Sequence, residues 1–416
     1  RPERPADVFH TYVFTEMPYP YLPPNDIFPS NRIDVPNSFY DPDAGYELYK
    51  KYYDIYAAAD ELGLDIMVNE HHTTATCTNA VTPLSMAILA RETSRARILT
   101  LGNPVAHRPD PVRVAEEMAT VDVISGGRAD VGFVKGVPQE SIAVNSSAVD
   151  MKDRFWEAVD LIMKAFTTHD GPFSWEGEHY HHREVNLWPR PYQTPHPPIW
   201  SPTTSAASAP MLAERDMTVA TLGVGGRGCA EIFRAYRERA AELGRPEPPL
   251  TKFAYSVQLF VGDTDEEALR EAEKVKLWFR EAARHPLQYS NPPGYLPIDI
   301  RAKVMRATAQ GRTVSPPLGP PPAPTMAEVI GAPVRQLVDE GYMIAGDPDS
   351  VYEQLENLFD TVGGLGNLIP MMQYSTMSYD LVEKSMKRLA EDVLPRFVAE
   401  VYGPTVRGER EIFAVG

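Results

Sequence analysis

One carboxylate and two imidazoles occupy consecutive positions in the sequence VNEHH, residues 68–72. In extended backbone, neighbouring side chains point to opposite faces, so Glu70 and His72 are predicted to share one side and His71 the other. Adjacent histidines that diverge in this way disfavour a metal site, and no partner at HxH or HxxxH spacing lies nearby. Two interpretations stay open: one histidine donates or accepts a proton, or Glu70 and one histidine stabilise a loop by hydrogen bonds.

A second histidine-rich stretch, EHYHHREV at residues 178–185, looks like a metal-binding sequence. It belongs to the segment FSWEGEHYHH, in which aromatic strand residues surround a Glu-Gly turn, and this pattern predicts a β-hairpin. Alternate histidines of a strand face opposite sides, and Trp175 and Trp188 flank the stretch as packing residues would. We therefore predict a structural hairpin here, and no metal site in the chain.

Hydroxyl side chains follow a short apolar run in SPTTSAASAPMLAERD, residues 201–216. Thr204, Ser205 and Ser208 would surround the free backbone N–H groups at the start of a helix, a common construction for binding phosphate or another anion. The sequence GFVKG, residues 132–136, places Lys135 after another strand, where its charge would complete such a site. Serine and threonine also cap helices that bind nothing, and lysine is common at surfaces, so these alternatives stay open.

Composition limits the class of protein. The 57 acidic residues outnumber the 40 Lys and Arg, and the formal charge of −17 disfavours general binding to nucleic acid or anionic lipid. Cys77 and Cys229 are the only cysteines, so neither a disulfide framework nor a cysteine-based zinc site is predicted. The first residues lack the apolar core of a signal peptide, and no uncharged run reaches the roughly 20 residues of a membrane helix. We expect a soluble, cytoplasmic protein.

Short β-rich runs alternate with longer helical patterns, as in a parallel sheet built from βαβ units. Eight such units favour an α/β fold of the (β/α)8 TIM-barrel type, with residues 1–416 forming a single domain. Such barrels carry their chemistry at the carboxyl ends of the strands, so residues 70–72 would face the barrel mouth. Asp263 and Asp347 are predicted helix caps. The predicted strands are 8–14, 65–69, 97–105, 129–134, 198–201, 218–222, 253–261 and 367–374; the predicted helices lie near 45–62, 80–93, 111–124, 151–167, 206–215, 227–243, 264–283, 349–362 and 379–400.

Two stretches interrupt this alternation. Residues 168–197 contain the predicted hairpin. Residues 284–346 contain SPPLGPPPAP, which is too rich in proline for a helix or a sheet. Because a long irregular insertion in a compact domain is usually functional or disordered, we interpret 284–346 as an active-site lid, with a solvated linker as the alternative.

Several blocks of the sequence together resemble the bacterial luciferase-like family of flavin-dependent monooxygenases. The most specific block is ILTLGNPVAHRPDPVRVAEEMATVDVISGGRADVGFVKG, which covers residues 98–136. The others are ELGLDIMVNEHH, RFWEAVDLIMKAF, FSWEGEHYH with NLWPRPYQTPHPPIW, and IAGDPDSV with DVLPRF. The resemblance runs from about residue 8 to 400 and departs from the family only in the insertions.

The resemblance implies a (β/α)8 barrel that uses reduced FMN, supplied by a separate flavin reductase, and dioxygen to oxygenate a small organic substrate through a flavin 4a-hydroperoxide. His71 matches the family's active-site histidine, whereas His72 and Glu70 would support the strand end. Leu101-Gly102 matches a non-proline cis peptide bond beneath the flavin ring, and Asn103 would lie close to that ring. The family positions that contact the FMN phosphate match Lys135, Thr204, Ser205 and Ser208. Most members have arginine where this chain has Lys135, and arginine binds phosphate bidentately whereas lysine acts as a point charge.

Two alternatives share this fold. One is a deazaflavin-dependent oxidoreductase that transfers hydride without dioxygen, and the other is a non-catalytic flavin-binding barrel. The identity of the bound cofactor separates the first from a monooxygenase, because a deazaflavin cannot form the hydroperoxide. The family resemblance further implies a homodimer.

Overall fold

The chain forms a closed parallel barrel surrounded by helices. The computed structural model describes residues 9–24, 27–282, 289, 292–296, 298–309, 331–374 and 377–401. Eight strands pair in parallel around the barrel, which closes where His10 of the first strand pairs with Asn367 of the last. All eight predicted strands are confirmed, three with the predicted ends and five with ends shifted by one or two residues. The barrel strands are β1 (His10–Thr15), β2 (Asp65–Val68), β3 (Ile98–Pro104), β4 (Ala129–Val134), β7 (Ile199–Pro202), β8 (Thr218–Leu222), β9 (Phe253–Val261) and β11 (Asn367–Gln373).

Three further strands lie outside the barrel. Strands β5 (Phe173–Glu176) and β6 (His181–Val185) form an antiparallel hairpin, which confirms that prediction. The carboxylate of Glu157 holds its turn by accepting the N–H groups of three consecutive residues, 178–180. Strand β10 (Met343–Gly346) extends the sheet at the second half of β9 and has no counterpart among the predicted strands.

The predicted helices are confirmed, and their ends follow local capping chemistry. Asp110 accepts hydrogen bonds from the N–H groups of Val112 and Arg113, and Gly126 ends the same helix with a φ of 66°. Asp347 caps its helix as predicted, whereas the prediction for Asp263 is wrong because the hydroxyl of Thr264, the residue before the helix, accepts the N–H of Glu267 instead. The helices are α1 (Pro42–Glu61), α2 (Thr82–Glu92), α3 (Pro111–Ser125), α4 (Pro138–Ser141), α5 (Met151–Thr167), α6 (Ala209–Glu214), α7 (Gly225–Glu242), α8 (Asp265–Ala282), α9 (Ile298–Ala309), α10 (Val334–Asp339), α11 (Pro348–Val362), α12 (Tyr379–Arg388) and α13 (Leu394–Val401), the last two joined by a π-helical turn, Leu389–Val393.

The described part of 284–346 is largely regular, since it contributes α9, α10 and β10. Its proline-rich centre lies outside the described residues, so the lid stays a prediction. Tyr289 and Tyr295 of this stretch lie near the ends of barrel strands, close to Asp34 and Lys135 respectively.

The amino end of the barrel is occupied by a buried polar network. The Tyr12 hydroxyl donates to Asp130 at 2.6 Å, and Arg97 donates to both oxygens of the same carboxylate. Asp65 accepts the backbone N–H of Arg97 and lies 2.6 Å from Nδ1 of His10. Because every member is hydrogen-bonded to another, we assign this network a structural role.

Candidate active site

Glu70 connects the end of β2 to the start of α2. One carboxylate oxygen accepts the backbone N–H of Thr82 at 3.0 Å, and the other lies 3.1 Å from Nε2 of His72 and also accepts a hydrogen bond from Arg108. Burial raises the pKa of Glu70, but the hydrogen bond from His72 and the positive charge of Arg108 outweigh it, so the net pKa lies below its ordinary value. Glu70 and His72 therefore share one side, as the extended backbone predicted, and stabilise the loop after β2.

His71 points to the other side and contacts a different pair of charged residues. Its Nδ1 lies 2.8 Å from Oε1 of Glu140 and 3.1 Å from Nη2 of Arg32. The guanidinium and the carboxylate are 3.7 Å apart. Arg32 comes from the loop after β1, and Glu140 from α4 after β4, so three strand ends of the barrel meet at this cluster.

Sequence reasoning missed Arg32 and Glu140, because each stands alone in its segment without another chemically suggestive residue. The only available signal was that both follow a predicted strand at its carboxyl end. Glu140 is 3% exposed, and burial alone would raise the pKa of its carboxyl group. The hydrogen bond from His71 and the charges of His71 and Arg32 lower the pKa below its ordinary value, so Glu140 is ionised at neutral pH.

A cavity of about 310 Å³ opens beside this cluster. His71 contacts two residues that line this cavity, Arg32 and Glu140. Among the described residues, His72 belongs to the cavity lining and His71 does not. The side chains of His71 and His72 keep 20% and 17% of their surface exposed, so both imidazoles are partly accessible. The wall consists of Arg32, Ile33, His72, Thr73, Thr74, Gln139, Glu140, Ile142, Ala143 and Tyr289.

The peptide bond between Leu101 and Gly102 is cis, as predicted. Gly102 faces the backbone of β4, where a Cβ atom would lie 2.6 Å from the carbonyl oxygen of Gly132. The side-chain amide of Asn103 donates to the same carbonyl at 3.3 Å and contacts the sulfur of Met118 on α3. Since this amide points towards the outer helix layer, a contact between Asn103 and a flavin ring would have to come from its backbone.

The predicted phosphate-binding residues leave two neighbouring strands at the same edge of the barrel. In the β4–β7 pair, Gly132 aligns with Trp200, and the hydroxyl of Ser201 donates to the carbonyl of Phe133 at 2.8 Å. Lys135 and the segment 203–208 follow these two strands, so they leave the barrel next to each other. This register is the geometric basis for combining the lysine with the hydroxyl residues.

Segment 203–208 forms a hydroxyl-rich turn in front of α6. The hydroxyl of Thr203 accepts the N–H of Ser205, and the hydroxyl of Ser205 accepts the N–H of Ala207 at 3.3 Å. Ser208 is the first flanking residue of α6, but its hydroxyl does not cap the helix. Thr204 is exposed. Hydroxyls and a lysine are donors that a phosphate accepts, so the hydroxyls of Thr204, Ser205 and Ser208 and the ammonium group of Lys135 suit the phosphate of FMN.

The ammonium group of Lys135 lies 4.5 Å from the ring centre of Tyr295. Tyr295 comes from the predicted insertion, and no sequence pattern indicated this pairing. A cation above an aromatic face is held electrostatically, by about 0.5–1 kcal/mol at exposed sites. The insertion thus contributes to the position of the charge in the predicted phosphate site.

The histidine-rich hairpin shows no convergence of ligands. His181 is exposed and lies 3.5 Å from Glu176, whereas His182 lies 4.0 Å from Asp110 on another element. Among the described residues, no group of three or more His, Cys, Asp or Glu side chains is arranged to hold a metal ion. Within the same residues, no helix combines the length and the apolar character needed to cross a bilayer.

The protein is a (β/α)8 barrel with a cluster of ionisable residues at the carboxyl ends of its strands. The model of the luciferase-like monooxygenase family matches residues 38–364, which is most of the chain. The protein therefore belongs to the luciferase-like monooxygenase family.

The oxygenase component of a flavin-dependent trigonelline monooxygenase from Acinetobacter baylyi is 27% identical over 243 residues, 56% of this chain and 65% of the relative. The chain spans between about half and two thirds of the length of the curated relatives it matches.

Two solved structures share the fold over nearly their whole length. The oxygenating constituent of 3,6-diketocamphane monooxygenase from Pseudomonas putida, in complex with FMN, superposes with a TM-score of 0.66 at 21% identity, covering 94% of this chain and 99% of that one. The coenzyme F420-dependent tetrahydromethanopterin reductase from Methanopyrus kandleri reaches 0.61 at 15% identity, covering 94% and 99%. Both likenesses support the (β/α)8 barrel.

Proposed function

We propose that this protein is the oxygenase component of a two-component monooxygenase, which takes reduced FMN from a separate flavin reductase and oxygenates a small organic substrate. The observation that carries the proposal is the meeting, at one end of the barrel, of a phosphate-type donor set with an ionisable cluster around His71. The family match and the flavin-dependent relatives support this choice among the chemistries that a barrel can host.

Reduced FMN would supply the electrons that activate dioxygen. Lys135 would balance the charge of its phosphate, and the hydroxyls of Thr204, Ser205 and Ser208 would donate hydrogen bonds to it. Leu101-Gly102 lies on β3, next to β4 in the barrel and so beside the strand that ends in Lys135, which suits a position beneath the flavin ring.

His71 would hold or pass a proton at the edge of the cavity, because it is partly accessible and its other contacts are charged residues in fixed positions. The cavity beside it, about 310 Å³, has the size of a site for a small molecule. Tyr289 of the insertion lies in its wall and would help to exclude water during the reaction.

A deazaflavin-dependent hydride transfer is the second candidate, since one structural neighbour uses coenzyme F420. A phosphate-type donor set serves either cofactor, so this feature does not distinguish them. A non-catalytic flavin-binding barrel is the third candidate. The charged cluster around His71 argues against it, because burying ionisable groups is energetically unfavourable unless they serve a function or stabilise the structure.

The test is an anaerobic titration of the purified protein with reduced FMN and with a reduced deazaflavin, followed by mixing with dioxygen. We expect binding of reduced FMN and dioxygen consumption that depends on the protein, with product formed when a substrate is present; trigonelline and 3,6-diketocamphane are suitable first probes. Binding of the deazaflavin alone would establish the second candidate. FMN binding without any effect on its reaction with dioxygen would establish the third.

A further inference from the structure

We propose that Glu140 is a positioning residue that fixes the proton of neutral His71 on Nδ1 and thereby leaves Nε2 as the nitrogen that exchanges a proton with the substrate side. This inference deepens the proposed function and rests on it for the role of His71 in turnover. The position of the proton on His71, by contrast, can be tested in the absence of any cofactor.

The contacts of Nδ1 in His71 indicate which of the two neutral tautomers the ring adopts. An ionised carboxylate can only accept a hydrogen bond, so the 2.8 Å contact with Oε1 of Glu140 requires a proton on Nδ1. With the proton on Nε2 instead, the lone pair of Nδ1 would face the negative oxygen at hydrogen-bond distance, which is repulsive. Glu140 therefore selects the form with Nδ1 protonated.

Arg32 adds a second charge to this choice. Its Nη2 lies 3.1 Å from Nδ1 and 3.5 Å from Nε2 of His71, so the guanidinium lies against the ring rather than at one nitrogen. It cannot donate to an Nδ1 that already carries a proton, but it lies 3.7 Å from Glu140 and is attracted to that carboxylate. The arginine and the glutamate are both largely buried, which keeps the three groups together.

The neighbouring histidine provides an internal comparison. His72 contacts its carboxylate partner, Glu70, through Nε2 instead of Nδ1. By the same reasoning His72 carries its proton on Nε2. Two consecutive histidines are thus held in opposite tautomers by two different glutamates, and the unprotonated nitrogen is Nε2 in His71 and Nδ1 in His72.

Glu140 is itself held in place by the short helix α4. Pro138 begins this helix, the N–H of Glu140 donates to the carbonyl of Val137, and the hydroxyl of Ser141 donates to the carbonyl of Pro138. A fixed carboxylate behind a histidine orients the ring and selects its tautomer, which is what a proton-transfer residue requires.

The first experiment is a long-range ¹H–¹⁵N correlation spectrum of the cofactor-free protein with labelled histidine, at a pH where the ring is neutral. The signals are identified with His71→Gln and His72→Gln, and His72→Gln also serves as the control that leaves the His71 signals in place. We expect the Nδ1-protonated pattern for His71, the Nε2-protonated pattern for His72, and a shift of His71 to the Nε2-protonated pattern in Glu140→Met. An Nε2-protonated His71 in the wild type, or an unchanged His71 pattern in Glu140→Met, overturns the proposal.

The second experiment measures kcat and KM of turnover in the same variants. Glu140→Met should lower kcat about as much as His71→Ala, roughly a hundredfold, with little change in KM, whereas Glu140→Gln retains an acceptor oxygen and should recover most of the activity. The double variant should be no slower than His71→Ala, because both changes remove one function. Additive losses contradict the positioning role. If the spectra behave as expected but His71→Ala turns over normally, the positioning stands and the proposed role of His71 in turnover fails.

Discussion

Gly102 and Gly132 face each other across β3 and β4, so closely that a Cβ atom on Gly102 would lie 2.6 Å from the carbonyl oxygen of Gly132. We predict that Gly102→Ala forces the two strands apart and lowers the free energy of unfolding by about 1–3 kcal/mol, as overpacking does elsewhere. Urea denaturation measures this loss. Gly331→Ala is the matched control, because an added Cβ there meets nothing within 4 Å. Equal destabilisation of the two variants would show that the close approach of the strands is not what requires glycine at 102.

Lys135 provides the positive charge of the proposed phosphate site. Lys135→Ala and Ser205→Ala should each weaken FMN binding by about 1–3 kcal/mol, the value of a lost charge-assisted hydrogen bond. Fluorescence titration measures the dissociation constants. Lys164→Ala is the control, since that lysine also lies over an aromatic ring, Phe173 at 4.7 Å, but on α5. If Lys135→Ala and Ser205→Ala bind FMN as the wild type does, the phosphate site has been assigned to the wrong residues.

Tyr295 positions Lys135 from the insertion. Tyr295→Leu should weaken FMN binding by less than Lys135→Ala does, about 0.5–1 kcal/mol, and should add nothing further in the Lys135→Ala background. The double-variant cycle, measured by the same titration, checks this. Independent effects of the two substitutions would mean that the ring does not act through the lysine.

The two histidines should respond differently to removal. His71→Ala should leave FMN affinity almost unchanged and lower turnover roughly a hundredfold or more, with more hydrogen peroxide released per dioxygen consumed. His72→Ala, which loses the contact with Glu70, should mainly lower thermal stability. Because His72 belongs to the cavity wall, the reverse result, full coupled turnover in His71→Ala and its loss in His72→Ala, would assign the chemistry to His72.

His107 should make stability depend on pH below neutrality. The ring is buried, neither of its nitrogens has a hydrogen-bond partner among the described residues, and this burial lowers its pKa from 6.5 to about 4. Between these values the unfolded chain takes up a proton and the folded chain does not, so stability falls as pH decreases from 6.5 to 4, by on the order of 3 kcal/mol. Chemical denaturation at pH 7 and 5 should show about 2 kcal/mol of this loss in the wild type and much less of it in His107→Gln. The exposed His181→Gln is the control, and an unchanged loss in His107→Gln would exclude His107 as its source.

The carboxyl groups of Glu70 and Glu140 affect the stability of the fold in a lower pH range. Their pKa values lie below the ordinary 4.5, so their stabilising contribution is complete above that value and is lost only as pH falls below it. The loss caused by His107 can therefore be measured separately.

Assembly stays a prediction from the family resemblance. We expect a homodimer that pairs helices from the first half of the barrel. Light scattering at micromolar concentration should give twice the chain mass of 46.3 kDa. A mass equal to one chain would contradict the dimer.

The sequence alone determined the barrel and part of the site. Alternation of apolar strand and amphipathic helix patterns is a local property, so eight strands and their helices could be predicted from it. The sequence also predicted that the side chains of Glu70 and His71 point to opposite sides of the chain, because extended backbone has a two-residue period. The family resemblance, and not any local rule, indicated the cis peptide bond at Leu101-Gly102.

The partners of these residues were decided only by tertiary structure. Arg32 and Glu140 lie 39 and 69 positions from His71 along the chain and reach it because the loops after β1, β2 and β4 open at the same end of a closed barrel. Tyr295 meets Lys135 for the same reason, across 160 residues that carry no pattern linking them. A contact of this kind depends on strand order and loop path, which are set by the packing of the whole sheet; neighbouring residues alone do not contain that information.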